Sequence, residues 1–343
     1  MKLLVVGANG AVGKALEGLL SERKLEYRAL STQAINFLHK AEVVKAVSLY
    51  APTQIINVAS YINLELAEHD VDAARQCDEQ NSLIPATLAE VCVRLSLPLI
   101  QHSSSFVFDG QKAHPYSEDD PVNPVCRYGR SKWYGERSIR DTLPQHIIVR
   151  TDWVFSEQDR PYFQRHIDAC KAGNGKLEII SNRFSPTPAA DVARVLFGVA
   201  QQVDCAADVW GTYHYCAQQP LAQELFVEQV LQEAAKYDQE LAAMMGSLRI
   251  TRLPVQLPYI ANTVLNSQKL FETFGIKPRM RNTELAALIR QLYAGQQESR
   301  QMEPSAVQSA ASDATPPADA ELAVKRKPRS GRRPSKKGAK RKA

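Results

Sequence analysis

The sequence predicts an α/β fold: a doubly wound parallel sheet, a smaller C-terminal substrate-binding region and a disordered basic tail. Three observations predict it. Apolar, β-rich runs alternate with runs of helical periodicity through the first 150 residues, the rhythm of a parallel sheet with crossover helices. A glycine turn joins the first strand to the first helix, as in a Rossmann dinucleotide-binding unit. Past residue 296 the composition changes to Ser, Ala, Pro and Gln, and from Lys325 to a run of Lys and Arg.

In chain order, Lys2–Val6 is a buried strand, and Ala11–Leu20 a helix on which Val12, Leu16, Leu19 and Leu20 recur at helical spacing. A strand at Tyr27–Leu30, a helix at Ala41–Tyr50 and a buried strand at Gln54–Ala59 follow. Ser82–Leu95 reads as helix, Pro98–Ser103 as strand, Tyr128–Arg140 as helix and His146–Arg150 as strand. After Thr151 the alternation loosens into helices at Tyr162–Lys171, Asp191–Val203, Ala222–Lys236, Ser267–Phe274 and Thr283–Tyr293, a region suited to shaping a substrate pocket. The expected organisation is a Rossmann region over 1–155, a substrate-binding region over 156–295 and a tail over 296–343, basic from 325.

At 343 residues and 44% hydrophobic content the chain can bury a full core. No apolar run reaches the roughly 20 residues needed to span a bilayer, and Met1–Gly7 is too short for a signal peptide, so a cytoplasmic protein is expected. The six cysteines form no CxxC pair and do not cluster with the histidines, which argues against a metal site or a disulfide scaffold. The net charge of +5 averages two unlike pieces. Eleven of the 42 basic residues and none of the 37 acids lie between Lys325 and Ala343, so the body carries a net −6. Such a tail suits electrostatic contact with nucleic acid or an anionic surface, or simple solubilisation; without aromatics it is not built for base stacking. A homodimer is left open.

Chemistry enters with Gly7-Ala8-Asn9-Gly10-Ala11-Val12-Gly13, spaced GxxGxxG. Glycine permits positive φ and close backbone approach, while the N-terminus of the helix offers free amides and partial positive charge to a diphosphate. The second strand ends Arg28-Ala29-Leu30-Ser31-Thr32 without the acid that would bond an adenosine ribose, so NADPH is favoured over NADH. Tyr128 and Lys132 stand at i and i+4 on one helical face, where a cation lowers a phenol's pKa and equips it as acid or base. His102-Ser103-Ser104-Ser105 follows a strand at the sheet's carboxyl edge, where a Ser104 hydroxyl can meet a substrate carbonyl. His102 reads as a structural residue and Asp109 as a local turn former.

Together these residues resemble the extended short-chain dehydrogenases/reductases. Within them, SSSFVFDG (Ser103–Gly110) resembles the STDYVFDG segment of the dTDP-4-dehydrorhamnose reductase family, and PYSEDDP (Pro115–Pro121) and YGRSK (Tyr128–Lys132) follow at the matching distance. NVASY (Asn57–Tyr61) is similar to NAAAY, RTDWVF (Arg150–Phe155) to RTSWVY, SPTPAADVA (Ser185–Ala193) to SPTYAADLA, and SQKLFETFGI (Ser267–Ile276) to the closing SKLxxTFGI. The likeness spans about residues 1 to 292.

The resemblance implies an NAD(P)H-dependent reductase of a 4-keto-6-deoxy sugar nucleotide. Tyr128 would be the proton donor, Lys132 would tune it and bond the nicotinamide ribose, and Ser104 would stand for the catalytic threonine. Gly7, Asn9, Gly10, Ala11, Val12 and Gly13 would hold the pyrophosphate; Ala59, Ser60 and Tyr61 would line the cofactor with Asn81 in support; Ser104, Ser105 and Trp153 would meet the sugar nucleotide. The family's Asp and Tyr of STDY are Ser105 and Phe106 here, the adenine-loop Asp is Asn36, and RPxNSxLD is replaced by residues 258–266. These departures keep two other readings open, a non-catalytic NADP or sugar-nucleotide-binding regulatory subunit and a related epimerase or dehydratase.

Overall fold

A computed structural model describes residues 1–301; the tail read from sequence as disordered over 296–343 lies outside the described residues apart from its first few positions, and its basic part from 325 lies wholly outside them. In order the elements are β1 (Lys2–Val6), α1 (Ala11–Glu22), β2 (Glu26–Leu30), α2 (Lys40–Tyr50), β3 (Gln54–Asn57), α3 (Leu64–His69), α4 (Val71–Asp78), a π-helical turn (Glu79–Leu83), α5 (Ile84–Leu95) and β4 (Leu99–Ser104). A 3₁₀ turn (Ser105–Val107), α6 (Arg127–Thr142), β5 (His146–Thr151), β6 (Val154–Phe155), α7 (Arg160–Ala172), β7 (Lys176–Ile180), β8 (Arg183–Phe184), β9 (Thr187–Pro188) and α8 (Ala189–Asp204) follow. The remainder is β10 (Gly211–Tyr215), β11 (Leu221–Ala222), α9 (Gln223–Ala234), α10 (Gln239–Met245), β12 (Arg249–Leu253), α11 (Gln268–Phe274) and α12 (Asn282–Gln301).

Six strands form one parallel sheet in the order β10-β5-β4-β3-β1-β2. Strands buried on both faces need side chains that are apolar or fully bonded: LLVV of β1 is apolar throughout, and in QIIN of β3 Gln54 donates to the Ala200 carbonyl and Asn57 to Gln101 on either side of Ile55 and Ile56. Alternate residues serve opposite faces: Leu3 and Val5 pack with Leu16 and Leu20 of α1 and Val192, Leu196 and Val199 of α8. Leu4 and Val6 pack with Val43 and Val47 of α2 and Leu88 and Cys92 of α5. The sheet is therefore doubly wound, as the sequence predicts. The winding reverses between β1 and β3, so a crevice opens at the carboxyl ends of those two strands, where ligands bind such sheets.

A third core gathers Phe155, Phe163, Ile167, Phe184, Phe226, Leu231 and Ile289 from the C-terminal elements, with β7 and β12 paired beside it. Yet β10, α8 and α11 also follow residue 155, and they complete the sheet and one helical face rather than that core. The sheet layer thus draws on chain from both sides of the expected 155/156 boundary. Among the described residues no helix is long and apolar enough to cross a membrane, and no group of His, Cys, Asp or Glu is arranged to hold a metal ion.

Candidate active site

The glycine turn sits at the switch point. Gly7 takes φ +89° while its amide and that of Ala8 bond the Leu30 carbonyl at 2.8 and 3.3 Å. A Cβ on Gly7 would lie 2.3 Å from the Ala59 amide nitrogen, and one on Gly13 2.3 Å from the Gly7 carbonyl oxygen. These two glycines answer to the protein's own packing. Gly10 does not: its Cβ would meet nothing closer than 3.5 Å, and Asn9 and Gly10 are exposed. Gly10 caps α1 without a side-chain bond, and no acid stands in the first turn, so the Ala11, Val12 and Gly13 amides face the crevice without a side-chain acceptor. A bare, uncapped helix N-terminus beside a small residue fits a diphosphate. Val12 is buried against β1, so only its amide is available to a ligand.

Ser31 directly follows Leu30 and so stands beside the turn. Arg28 pairs in register with Leu4, two positions back, and its charge falls on Tyr50. Arg28 is thus a strand-flank residue rather than part of the turn. Asn36 closes a loop, its Oδ1 accepting the Leu38 amide at 3.0 Å.

At the end of β3, Asn57 donates to Gln101 Oε1 at 2.8 Å and accepts the Ala59 amide at 3.1 Å, which fixes the backbone entering Ala59, Ser60 and Tyr61. Asn81 then clamps that loop. Its Oδ1 accepts from Ser60 Oγ at 3.2 Å and the Tyr61 amide at 3.0 Å; its Nδ2 donates to the Tyr61 carbonyl and to Ser131 Oγ, both at 3.1 Å. Asn81 lies in the π-helical turn, whose extra residue aims a side chain that a regular helix would rotate away. The expected supporting residue therefore ties the β3 loop to α6.

Helix α6 carries Tyr128 and Lys132 on its buried face. Two glycines let it settle there: a Cβ on Gly129 would lie 2.1 Å from the Phe106 carbonyl oxygen, and one on Gly135 2.2 Å from that of Asn81. Ser104 ends β4, its Oγ accepting the Phe106 amide at 3.3 Å, and the Ser104 and Ser60 hydroxyls both bond the Tyr128 hydroxyl. The structure thus brings together Ser60, Ser104 and Tyr128 from three elements. Burial pushes the Tyr128 pKa up to about 12 despite those two bonds. That reverses the expected direction, because desolvation of the phenolate outweighs the cation one turn away. Burial also lowers Lys132 to about 8, opposed by Cys77 and Glu136.

Because the obstacle at Gly129 is backbone, Gly129→Ala is expected to destabilise by about 1–3 kcal/mol. It should also lift Tyr128 from Ser104. Gly18, exposed in α1 with nothing within 4 Å of its Cβ, is the control; Gly18→Ala should gain about 0.5–1 kcal/mol. Urea unfolding of both variants decides the point, and equal midpoints would exclude the close approach as the reason for Gly129.

Residues 1–294 match the family described as RmlD substrate binding domain. The chain belongs to that family. A dTDP-4-dehydrorhamnose reductase of Aggregatibacter actinomycetemcomitans is 29% identical over 281 residues, covering 81% of this chain and 94% of that one. The crystal structure of a dTDP-4-dehydrorhamnose reductase from Clostridium acetobutylicum aligns with a TM-score of 0.73 at 23% identity, covering 85% of this chain and 99% of that one. That of the Bacillus anthracis enzyme in complex with NADP gives 0.68 at 20% identity, with the same coverage. At such identities the structures establish the shared fold.

Two residues of this RmlD-family chain, Ser105 and Asp109, stand differently from the sequence expectation. Ser105, expected to touch substrate, is fully buried and donates to Asp152 Oδ1 at 3.2 Å, so its hydroxyl is committed inside the protein. Trp153 is half-buried in an aromatic cluster with Tyr162 (5.0 Å), Phe226 (5.6 Å), Phe155 and Phe184 (5.8 Å each), and so joins the end of the sheet to the C-terminal core. Asp109 reaches beyond local backbone, accepting from Tyr116 Oη at 2.8 Å and Asn123 Nδ2 at 3.1 Å as well as the Gln111 amide. His102 is structural as expected: it bonds Thr151 Oγ1 at 2.7 Å, and burial lowers its pKa to about 3.

Sequence reasoning missed the ion pair beneath Lys132. Arg150 of β5 and Glu136 of α6 are 2% and 1% exposed and bond twice, Nε to Oε1 at 2.8 Å and Nη2 to Oε2 at 2.7 Å. Two signals could have found it. Glu136 extends the i, i+4 ladder of Tyr128 and Lys132 by one step, and Arg150 ends the apolar run Ile147–Val149 of a buried strand.

Proposed function

We propose that this protein reduces the C4 ketone of a dTDP-linked 4-keto-6-deoxy sugar. The observation that carries the reading is the convergence of the Tyr128, Ser104 and Ser60 hydroxyls beside the switch-point crevice in a chain of the RmlD family. NADPH, when bound, supplies the hydride. Gly7, Asn9, Gly10 and the Ala11, Val12 and Gly13 amides hold its diphosphate at the head of α1. Ala59, Ser60 and Tyr61, fixed by Asn81, form the wall along which it lies, and Ser31 leaves room at the ribose.

Ser104, standing beside Tyr128, turns its hydroxyl to donate to the ketone oxygen and so holds that oxygen next to the phenol. Tyr128 keeps its proton at neutral pH because burial disfavours the phenolate, and it releases the proton only to a stronger base, the alkoxide that forms as the ketone is reduced. Lys132 adds positive charge beneath both and supports the nicotinamide ribose. Trp153, held in its aromatic cluster, closes the sugar-nucleotide side.

The test is turnover. Purified protein should oxidise NADPH in the presence of dTDP-4-keto-6-deoxy sugars and not in their absence. Tight NADPH binding without turnover across a panel of such sugars would replace this reading with a dinucleotide-binding regulatory subunit.

A further inference from the structure

Beyond the Ser104↔Thr151 pair that closes the β4–β5 ladder, the next residues on the two strands are Ser105 and Asp152. Their side chains meet at 3.2 Å, with Ser105 Oγ the donor, and Asp152 Oδ2 also accepts the Ser185 amide at 2.5 Å. Neither reaches solvent to any extent, at 0% and 5% exposure. The motif that SSSFVFDG resembles has an acid where Ser105 stands, and the motif that RTDWVF resembles has a serine where Asp152 stands. Taken one at a time these are two losses of pattern. In contact, they are one exchange.

We infer that Ser105 and Asp152 form a transposed acid–hydroxyl pair, in which the carboxylate of the β4 turn has moved across to β5 and acts from there as a positioning residue for Ser104. What it positions rests on the reductase reading above; the pairing of the two residues rests on their contacts, and the transposition on the two motifs that the segments resemble. The swap conserves one carboxylate, one hydroxyl and the hydrogen bond between them. Each half alone does not. An aspartate at 105 facing Asp152 would put two carboxylates in one buried space, and a serine at 152 would leave the Ser185 amide and Ser105 hydroxyl without their acceptor.

Asp152 also explains how the turn is held. The Ser105 hydroxyl from the β4 turn, the Ser185 amide and the Thr263 hydroxyl from two C-terminal segments, and the Trp153 amide on its own strand all bond the carboxylate. It therefore joins the segment bearing Ser104 to the substrate side of the molecule. The titratable group facing it is the Cys216 thiol, which burial, with Asp152 a lesser cause, pushes up to about 11. No Lys or Arg pairs with Asp152 among the described residues, and burial raises it to about 7 in spite of its hydrogen bonds. Of the other site groups, Lys132, at about 8, titrates close to neutrality, and His102, at about 3, does not.

The experiment compares four full-length proteins: wild type, Ser105→Asp, Asp152→Ser and the double exchange. Measured are kcat and KM for NADPH with a dTDP-4-keto-6-deoxy sugar, NADPH affinity by fluorescence, and Tm from pH 5.5 to 8.5. Each single change should lower kcat/KM by about tenfold or more, chiefly in kcat, and the double should return to within about threefold of wild type. NADPH affinity should stay unchanged in all four. An acid whose pKa is raised on folding favours the folded state while protonated, so the wild-type Tm should drop as pH rises towards about 7, a drop that Asp152→Ser should lose.

A double variant as impaired as the two singles combined, or Asp152→Ser alone equal to wild type, would overturn the exchange. If wild type reduces no keto-sugar nucleotide, the reductase reading fails by itself. The exchange is then decided by whether the double recovers the Tm that the singles lose. Should both singles fail to fold, soluble protein from the double upholds the pair and its absence refutes it.

Discussion

Tyr128→Phe is expected to lower turnover by about 10²–10⁴-fold, the range over which a positioned general acid contributes, while NADPH affinity stays within about threefold. The substitution removes one oxygen from a buried ring that packs edge-on against Phe106 at 5.6 Å, so the fold has little reason to change. What disappears is the hydroxyl that Ser104 and Ser60 bond, and with it the proton to be donated. The pH profile separates the two members of the pair. Tyr128, at about 12, keeps its proton across the usual assay range, whereas Lys132, at about 8, does not. kcat/KM for wild type should therefore decline as pH rises through about 8, and Lys132→Met should lose that limb along with most of the rate. A Tyr128→Phe enzyme with near-wild-type turnover would remove the proton-donor role, and an unaltered alkaline limb in Lys132→Met would remove the role of the lysine.

The sheet was legible because its strands obey one rule. A parallel strand covered on both faces is apolar wherever no hydrogen bond satisfies a polar side chain, and Leu3–Val6, Ile55–Ile56 and Leu99–Ile100 are short apolar runs next to glycine, proline or polar turn residues. The edge strand β10 breaks the rule. Gly211-Thr212-Tyr213-His214-Tyr215 shows no apolar run, because His214 is buried by bonding: its Nδ1 donates to the Tyr116 carbonyl at 3.0 Å and its Nε2 accepts from Arg150 at 3.3 Å. Burial lowers His214 to about 3, the neutral state that this arrangement requires. The helices α3 and α4 were missed for another reason. They are six and eight residues long, too short to show a period, and exist because Asn63 and Asp70 accept the Leu66 and Ala73 amides at their starts.

The site divides in the same way. Glycines, Ser104, Tyr128 and Lys132 could be read because each is constrained by local geometry: a turn, a strand end, one face of a helix. Ser105 could not. Its side chain points away from the crevice into a space that only the pairing of β4 with β5 creates, and nothing in its own neighbourhood names Asp152, 47 residues on. The same holds for Gly129 and Gly135, which read as unfavourable residues inside a helix until the carbonyls of Phe106 and Asn81 are set against them.

Breaking the Glu136–Arg150 pair should have the largest effect on stability. In Glu136→Ala the Arg150 guanidinium, 2% exposed, loses both of its carboxylate bonds and keeps only His214 Nε2 and the face of Phe108 at 5.2 Å, while Arg140 loses a 3.0 Å partner. An uncompensated buried charge costs about 3–5 kcal/mol, whereas replacing both partners by apolar residues of similar volume is near neutral. Glu136→Leu with Arg150→Met should therefore unfold in urea close to wild type, and Glu136→Ala far below it. Burial alone would raise the Glu136 carboxyl, but the Arg150 charge and its hydrogen bonds, with Arg140 behind them, hold it below the ordinary value. The pair's contribution is thus complete above the usual glutamate pKa and fades as acid protonates the carboxyl below it, so Glu136→Ala and wild type should converge in stability as pH falls. The pair also reaches the chemistry. Glu136 is one of the charges that raise Lys132 against burial, so its loss should move the alkaline limb of the rate below pH 8. Stability within about 1 kcal/mol of wild type in Glu136→Ala would mean that Arg150 finds water or another acceptor, and that the pair does not hold α6 on β5.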